Sequence, residues 1–286
     1  FFATAEVIAR VGATPVFVDI DPLTYNMNTD LIESAITEKT KAIIVVHLFG
    51  QPVDMDTIME ISRKYNLRVI EDACQSLGAT FQEKKVGSIG DLGCFSFFPS
   101  KNLGCYGDGG ALFTNNDEMA EKIRIIANHG MKVRYHHDLI GVNSRLDSIQ
   151  AAVLDVKLKY LDKYNQSRQR AATFYDEAFA ENPYLEIPKR HSKSTHVFHQ
   201  YTLKINGFDR DLLKTYLEIN GIPAMVYYPI PLHLQKAYRN NRYGEGYFPV
   251  AEKLCQSVIS LPMHTELTEE QLKFISETVN NFTIDG

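Results

Sequence analysis

The chain has 286 residues, 44% hydrophobic and 23% charged, with a formal net charge of −5. That length buries a sizeable core and fits one larger and one smaller domain. The acidic balance, without any basic block, excludes nucleic acid as a partner, and the longest apolar runs, such as Ala42–Val46, are far too short for a membrane span.

In chain order, residues 3–11 read as an amphipathic helix stopped by Gly12, and 14–20 as a strand ending in the turn Asp21-Pro22. Asp30 and Glu33 have capping-box spacing and predict a helix to Ile36. Residues 42–46 form an unbroken apolar run, the pattern of a strand covered on both faces. Asp54 caps a helix to about Tyr65, and a second buried strand, 67–70, leaves Asp72 just past its carboxyl end. Residues 94–98 are a third strand, rich in aromatics and stopped by Pro99. A strand over 111–114 and a helix over 117–128, ended by Gly130, complete this part. Such alternation predicts an α/β layer with a largely parallel sheet.

Residues 131–144 form a long irregular segment rich in His and Tyr, and long loops in compact domains are commonly functional. From Leu146, apolar residues at helical spacing predict one helix, or a pair, to about Phe179. The domain change is placed within it, giving 1–165 and a smaller C-terminal α/β domain, 166–286. There the pattern predicts strand 198–205, helix 210–219, strand 222–228 and a last helix opened by a Thr268–Gln271 capping box.

Chemistry concentrates between Cys94 and Gly110. Lys101 follows a strand end, among apolar neighbours that disfavour its charge. A desolvated lysine serves as a Schiff-base nucleophile, although this segment alone also fits an ordinary turn lysine. Asp72 lies at the sheet edge where open α/β folds bind ligands. A lysine to hold an aldehyde and an aspartate to keep a pyridine nitrogen protonated suit pyridoxal phosphate; a helix N-cap is the alternative for Asp72. Gly104, Gly107, Gly109 and Gly110 match neither a P-loop nor a dinucleotide fingerprint, and read as tight turns with close backbone approach.

Cys74, Cys94, Cys105 and Cys255 lack metal-ligand spacing and any disulfide framework, so they read as reduced, largely buried residues of a cytoplasmic protein. His136, His137 and His233 lack a third ligand at a recognisable spacing, and no metal is expected. No signal peptide is expected either, since Phe1-Phe-Ala-Thr-Ala lacks a charged start.

Glu71-Asp-Ala-Cys-Gln-Ser76, Ser96-Phe-Phe-Pro-Ser-Lys-Asn-Leu-Gly104 and Gly107-Asp-Gly-Gly-Ala111 resemble the DegT/DnrJ/EryC1/StrS sugar aminotransferases. The resemblance continues through Tyr135-His-His-Asp-Leu-Ile-Gly-Val-Asn-Ser-Arg-Leu-Asp147 and Tyr227-Tyr-Pro-Ile-Pro-Leu232. It implies a fold-type I pyridoxal 5′-phosphate enzyme with a large domain, its sheet mostly parallel between helices, and a small C-terminal domain. The similarity is closest to the branch that aminates C3 of UDP-2-acetamido-2-deoxy-3-keto-glucuronic acid. It implies L-glutamate as donor, 2-oxoglutarate as co-product, a role in polysaccharide or O-antigen precursor synthesis, and a homodimer with shared active sites.

The resemblance makes Lys101 the cofactor-binding lysine and Asp72 the partner of the ring nitrogen. It places Gln75 near the phenolic oxygen, one helical turn from Asp72, and Ser96 on the phosphate. Phe1, or Phe2, stacks on the ring, and Asn143 reaches the neighbouring protomer's phosphate. Arg145 is assigned to an acidic group of the substrate, with Tyr227, Tyr228 and His233 on the substrate side; close relatives often carry His at the position of Tyr227. From the residues alone Ser96 also fits a small core position, Asn143 a helix cap and Arg145 an exposed surface. The resemblance further implies that roughly a quarter of the family's length precedes Phe1, including a Gly-Thr turn for the cofactor phosphate. Other nucleotide-linked 3- or 4-keto-6-deoxyhexoses are alternative acceptors. A dehydratase would typically carry histidine in place of Lys101, and a sensory or scaffold member would tolerate loss of Lys101 or Asp72.

Overall fold

The computed structural model of the chain describes residues 1–238 and 242–283. Helix α1 (Phe2–Arg10) ends just before Gly12, as its spacing predicts. The strand expected over 14–20 does not form. A strand needs a neighbour for its amides and carbonyls, and the described residues give this stretch only one bridge, Ile20 to Met27. The capping box at Asp30 is also absent. Asn28 accepts the Asp30 amide instead and opens a 3-10 turn into the short α2 (Ile32–Ala35), while Glu33 is drawn off to Lys64 at 2.9 Å.

Strand β1 (Ala42–Val46), helix α3 (Met55–Tyr65) and strand β2 (Arg68–Asp72) follow, with Asp54 capping α3 as expected. A small hairpin, β3 (Thr80–Phe81) and β4 (Lys84–Lys85), leads to β5 (Leu92–Ser96) and β6 (Gly110–Phe113). The sheet order is β1-β2-β5-β6, parallel except for β6. Asp72 is the last residue of β2, level with Val46 on one side and Cys94 on the other. Three carboxyl ends therefore open on one edge. Ile43, Val45 and Val69 share a core with Ile58 and Ile61 of α3, which fixes that edge against a packed helix.

Helix α4 (Asp117–Ala127) is followed by a short hairpin, β7 (Met131–Val133) and β8 (His136–His137), inside the segment predicted to be irregular. The predicted long helix is a pair, α5 (Ser148–Leu158) and α6 (Leu161–Phe179), and the N-cap position of α5 is Asp147 rather than Asn143. A second sheet of β9 (Leu185–Glu186), β10 (Tyr201–Ile205) and β11 (Val258–Leu261) is antiparallel, in the order β11-β10-β9. It packs with α7 (Arg210–Ile219) and α9 (Glu269–Asn280), and α8 (Pro249–Ser257) precedes β11. The Thr268–Gln271 capping box forms as predicted.

Residues 222–228 are not a strand, and among the described residues only Met225 forms a bridge, to Ser260. Pro223 and Pro229 have no amide to give a ladder. In α6, Leu161 packs with Leu103 and Leu154, whereas Ala171, Tyr175 and Phe179 belong to the core of the second sheet. One helix thus touches both halves of the molecule. Among the described residues no helix is long and apolar enough to cross a membrane.

Candidate active site

Strand β2 ends in Glu71-Asp72, and alternation sends these two carboxylates to opposite faces. Glu71 is completely buried. It accepts from His47 Nε2 at 3.0 Å and from the amides of Gly87, Ile89 and Gly90 at 2.7, 2.7 and 2.6 Å. His47 Nδ1 accepts the Val53 amide at 3.2 Å, so the ring carries its proton on Nε2. Burial pushes the Glu71 carboxyl up, but the bonds from His47 and the loop amides outweigh it and hold the group below its usual range. The loop lies so close to β5 that a Cβ on Gly93 would stand 2.0 Å from the Gly87 carbonyl oxygen.

On the other face, Asp72 accepts the Thr4 hydroxyl at 2.6 Å and the Cys74 amide at 3.2 Å. Residues 73–78 form turns, not the helical turn expected between Asp72 and Gln75. Hydrogen bonds position Gln75 instead. Its Oε1 accepts the Phe49 amide at 2.6 Å, and its Nε2 donates to the Tyr228 hydroxyl at 3.3 Å.

Lys101 lies in a tight turn beyond β5, its amide donating to the Phe98 carbonyl at 2.9 Å. Gly104 closes the turn at a point where a Cβ would lie 2.4 Å from the Pro99 carbonyl oxygen. Asn102 Nδ2 pins the loop to Asn165 Oδ1 at 2.8 Å and to the Val197 carbonyl at 3.0 Å, and Lys157 Nζ donates to the Gly104 carbonyl. Burial pushes the Lys101 amine below the usual lysine value, against the opposing effects of Cys74 and Asp72. Ser96 ends β5, and its Oγ accepts the Phe98 amide at 3.3 Å, which leaves its own proton to donate elsewhere.

The other predicted residues divide into two groups. Phe1 places its ring 6.1 Å from that of Tyr228, whereas Phe2 packs 5.2 Å from Tyr238. Tyr227 packs with Tyr25, Phe49 and Leu254. A cavity of about 450 Å³, lined by Phe1, Thr4, Tyr228 and His233 among others, adjoins this side. His233 itself is buried and held by Glu252 at 2.9 Å. Asn143 and Arg145 are exposed and bond to each other, Nε to Oδ1, at 2.7 Å. Among the described residues neither bonds to Asp72, Gln75 or Lys101.

Sequence reasoning missed Thr4, the Phe49 amide and the His47–Glu71 pair. Only Glu71 left a signal, as a second carboxylate beside Asp72 on a buried strand. An amine whose charge burial disfavours, a carboxylate anchored on both oxygens and a buried amide meet at the carboxyl edge of a parallel sheet. That donor set fits an aldehyde cofactor with a basic ring nitrogen.

The fold and this group of residues define an α/β pyridoxal-phosphate-dependent transferase of fold type I. The model of the DegT/DnrJ/EryC1/StrS aminotransferase family matches residues 1–280, and the chain belongs to that family. Its enzyme class is therefore sugar aminotransferase and its cofactor pyridoxal 5′-phosphate. The chain is 49% identical to a UDP-N-acetyl-3-dehydro-alpha-D-glucosamine 3-aminotransferase of Acidithiobacillus ferrooxidans, covering 100% of this chain and 76% of the relative. It is 45% identical to a UDP-2-acetamido-2-deoxy-3-oxo-D-glucuronate aminotransferase of Pseudomonas aeruginosa, over 98% and 77%. It is also 49% identical to a pleiotropic regulatory protein of Geobacillus stearothermophilus, over 99% and 76%. The crystal structure of S. venezuelae DesV superposes with a TM-score of 0.95 at 37% identity, over 98% of this chain and 75% of that one.

Proposed function

We propose that the protein transfers the amino group of L-glutamate to the 3-keto group of a UDP-linked 2-acetamido sugar, with the glucuronate as preferred acceptor. It would act in the cytoplasm and supply precursors of a cell-surface polysaccharide such as O-antigen. The observation that carries this reading is the meeting of Lys101, Asp72 and Gln75 at one sheet edge, in a chain with relatives named for 3-keto UDP-sugar amination. The name of the Geobacillus relative favours a second reading, a regulator. Lys101 and Asp72 both in place support catalysis.

Bound pyridoxal 5′-phosphate supplies an electrophilic aldehyde and a ring that accepts electrons from the carbon losing its proton. Lys101 Nζ would hold the aldehyde and, once released, move the proton of the glutamate Cα as general acid and base. Burial favours the uncharged amine that this requires. Asp72 would keep the proton on the ring nitrogen, Gln75 would donate to the phenolic oxygen and Ser96 to the phosphate. Phe1 and Tyr228 would line the ring and sugar side, with Tyr227 and His233 behind them.

Arg145 is the best match for the C6 carboxylate, because its fork binds a carboxylate through two parallel bonds. Its Nε is engaged by Asn143, which leaves the Nη groups for an anion. With this exposed loop covered by a second copy and the sugar seated against it, Arg145→Ala is expected to weaken the uronate by about 2–5 kcal/mol, the effect of truncating one member of a buried charge pair. Turnover of the C6-hydroxymethyl sugar should hardly change. Assays with glutamate and a panel of UDP- and dTDP-linked keto sugars check this. Equal losses with both UDP-sugars would overturn the uronate assignment, and preference for a dTDP sugar would replace it.

A homodimer with shared sites is part of the proposal. Asn143 and Arg145 sit on a loop with Ile140, which is 99% exposed, and Val142, also exposed, a surface suited to cover by a second copy. Inactive Lys101→Ala protein mixed with inactive Asn143→Ala protein should then regain activity, since one hybrid site receives both intact residues. No recovery after subunit exchange would remove the shared site.

A further inference from the structure

One anchor of Asp72 has no part in the roles given above. Thr4 lies in the first turn of α1, and its Oγ1 donates to Asp72 Oδ2 at 2.6 Å across 68 positions of sequence. A hydroxyl–carboxylate bond of that length is charge-assisted and among the stronger hydrogen bonds a protein makes. The other oxygen, Oδ1, takes the Cys74 amide at 3.2 Å. One donor thus comes from α1 and the other from the turn after β2, and together they fix the plane of the carboxylate. Phe1, beside α1, places its ring against Tyr228, and Tyr228 bonds Gln75. Phe1 and Thr4 therefore touch both walls of the site.

We propose that Thr4 is a positioning residue for Asp72: its hydroxyl sets the direction from which the carboxylate meets the ring nitrogen of pyridoxal 5′-phosphate. The proposal rests on the role given to Asp72 above. Threonine suits the task because its branched side chain has few rotamers and its hydroxyl both donates and accepts.

The test uses the whole protein, stripped of cofactor, with pyridoxal 5′-phosphate as the probe. Thr4→Val keeps the branched shape and removes the hydroxyl, whereas Thr4→Ser keeps the hydroxyl. Thr4→Val is expected to bind the cofactor roughly tenfold more weakly and to shift the absorbance maximum of the bound form, with Thr4→Ser within about twofold of the parent. The melting temperature of Thr4→Val without cofactor should fall by only a few degrees, too little to account for the cofactor loss. In an Asp72→Asn background Thr4→Val should add nothing, because the two groups act as one unit.

Unchanged affinity and spectrum in Thr4→Val would overturn the proposal. So would a loss that Thr4→Ser fails to rescue and that tracks apoprotein stability, which would make Thr4 a packing residue only. Should Thr4→Val not fold, Thr4→Ala against Thr4→Ser provides the same contrast. If Asp72→Asn alone left the cofactor's affinity and spectrum unaltered, the role of Asp72 would fail, whatever Thr4 does.

Discussion

Lys101→Ala is expected to abolish covalent retention of pyridoxal 5′-phosphate after borohydride reduction, read by mass spectrometry of the intact protein. Transamination should fall at least about 10³-fold, since in the proposed mechanism the same amine holds the aldehyde and moves the proton. The loss should not come from unfolding. Burial lowers the Lys101 amine below its usual value, so the unfolded chain binds that proton more tightly than the folded one. The charge therefore opposes folding at any pH below about 10.4, the ordinary lysine value. Its removal should leave the melting temperature of the cofactor-free protein unchanged or slightly raised. The loop has other anchors, at Asn102, Gly104 and Cys105, and these remain. Cofactor still trapped covalently in the Lys101→Ala protein would transfer the role to another amine.

The second large effect falls on stability. Glu71→Ala would strip three amides and His47 Nε2 of their buried acceptor at once. Removing one member of a buried pair while leaving the rest in place costs about 3–5 kcal/mol. In a chain of this size that lowers the melting temperature by on the order of 10 °C. The sign with pH follows from the lowered carboxyl. Its stabilisation is fully present above the unfolded value, about 4.3, and is lost as pH falls through the folded value below it. The parent should therefore lose stability on acidification over that window, and Glu71→Gln should show a flatter acid limb. A Glu71→Ala protein that melts with the parent would mean that water replaces the carboxylate without loss. Cofactor affinity should fall as well, because Asp72 is the next residue of the same strand.

Legible along the chain were the α/β alternation, the strand 42–46, the caps at Asp54 and Thr268, and the two stretches that hold Asp72 and Lys101. These features are local. Apolar runs, capping spacings and a glycine-rich turn are written in neighbouring residues, and the family motifs are contiguous. The strands expected over 14–20 and 222–228 failed because a ladder depends on what lies alongside, and the sequence of one strand does not carry its partner.

How the site is held together depends on contacts between residues far apart in the chain. Thr4 reaches Asp72 across 68 positions, Gln75 reaches Tyr228 across 153, and Asn102 reaches Val197 across 95. Gln75 is held by such bonds, not in the helical turn that its spacing predicted. Nor could the sequence show that Glu71, adjacent to Asp72, turns inward to His47. Strand alternation separates the faces of Glu71 and Asp72, but which face meets helix and which meets the open edge depends on how the whole sheet packs.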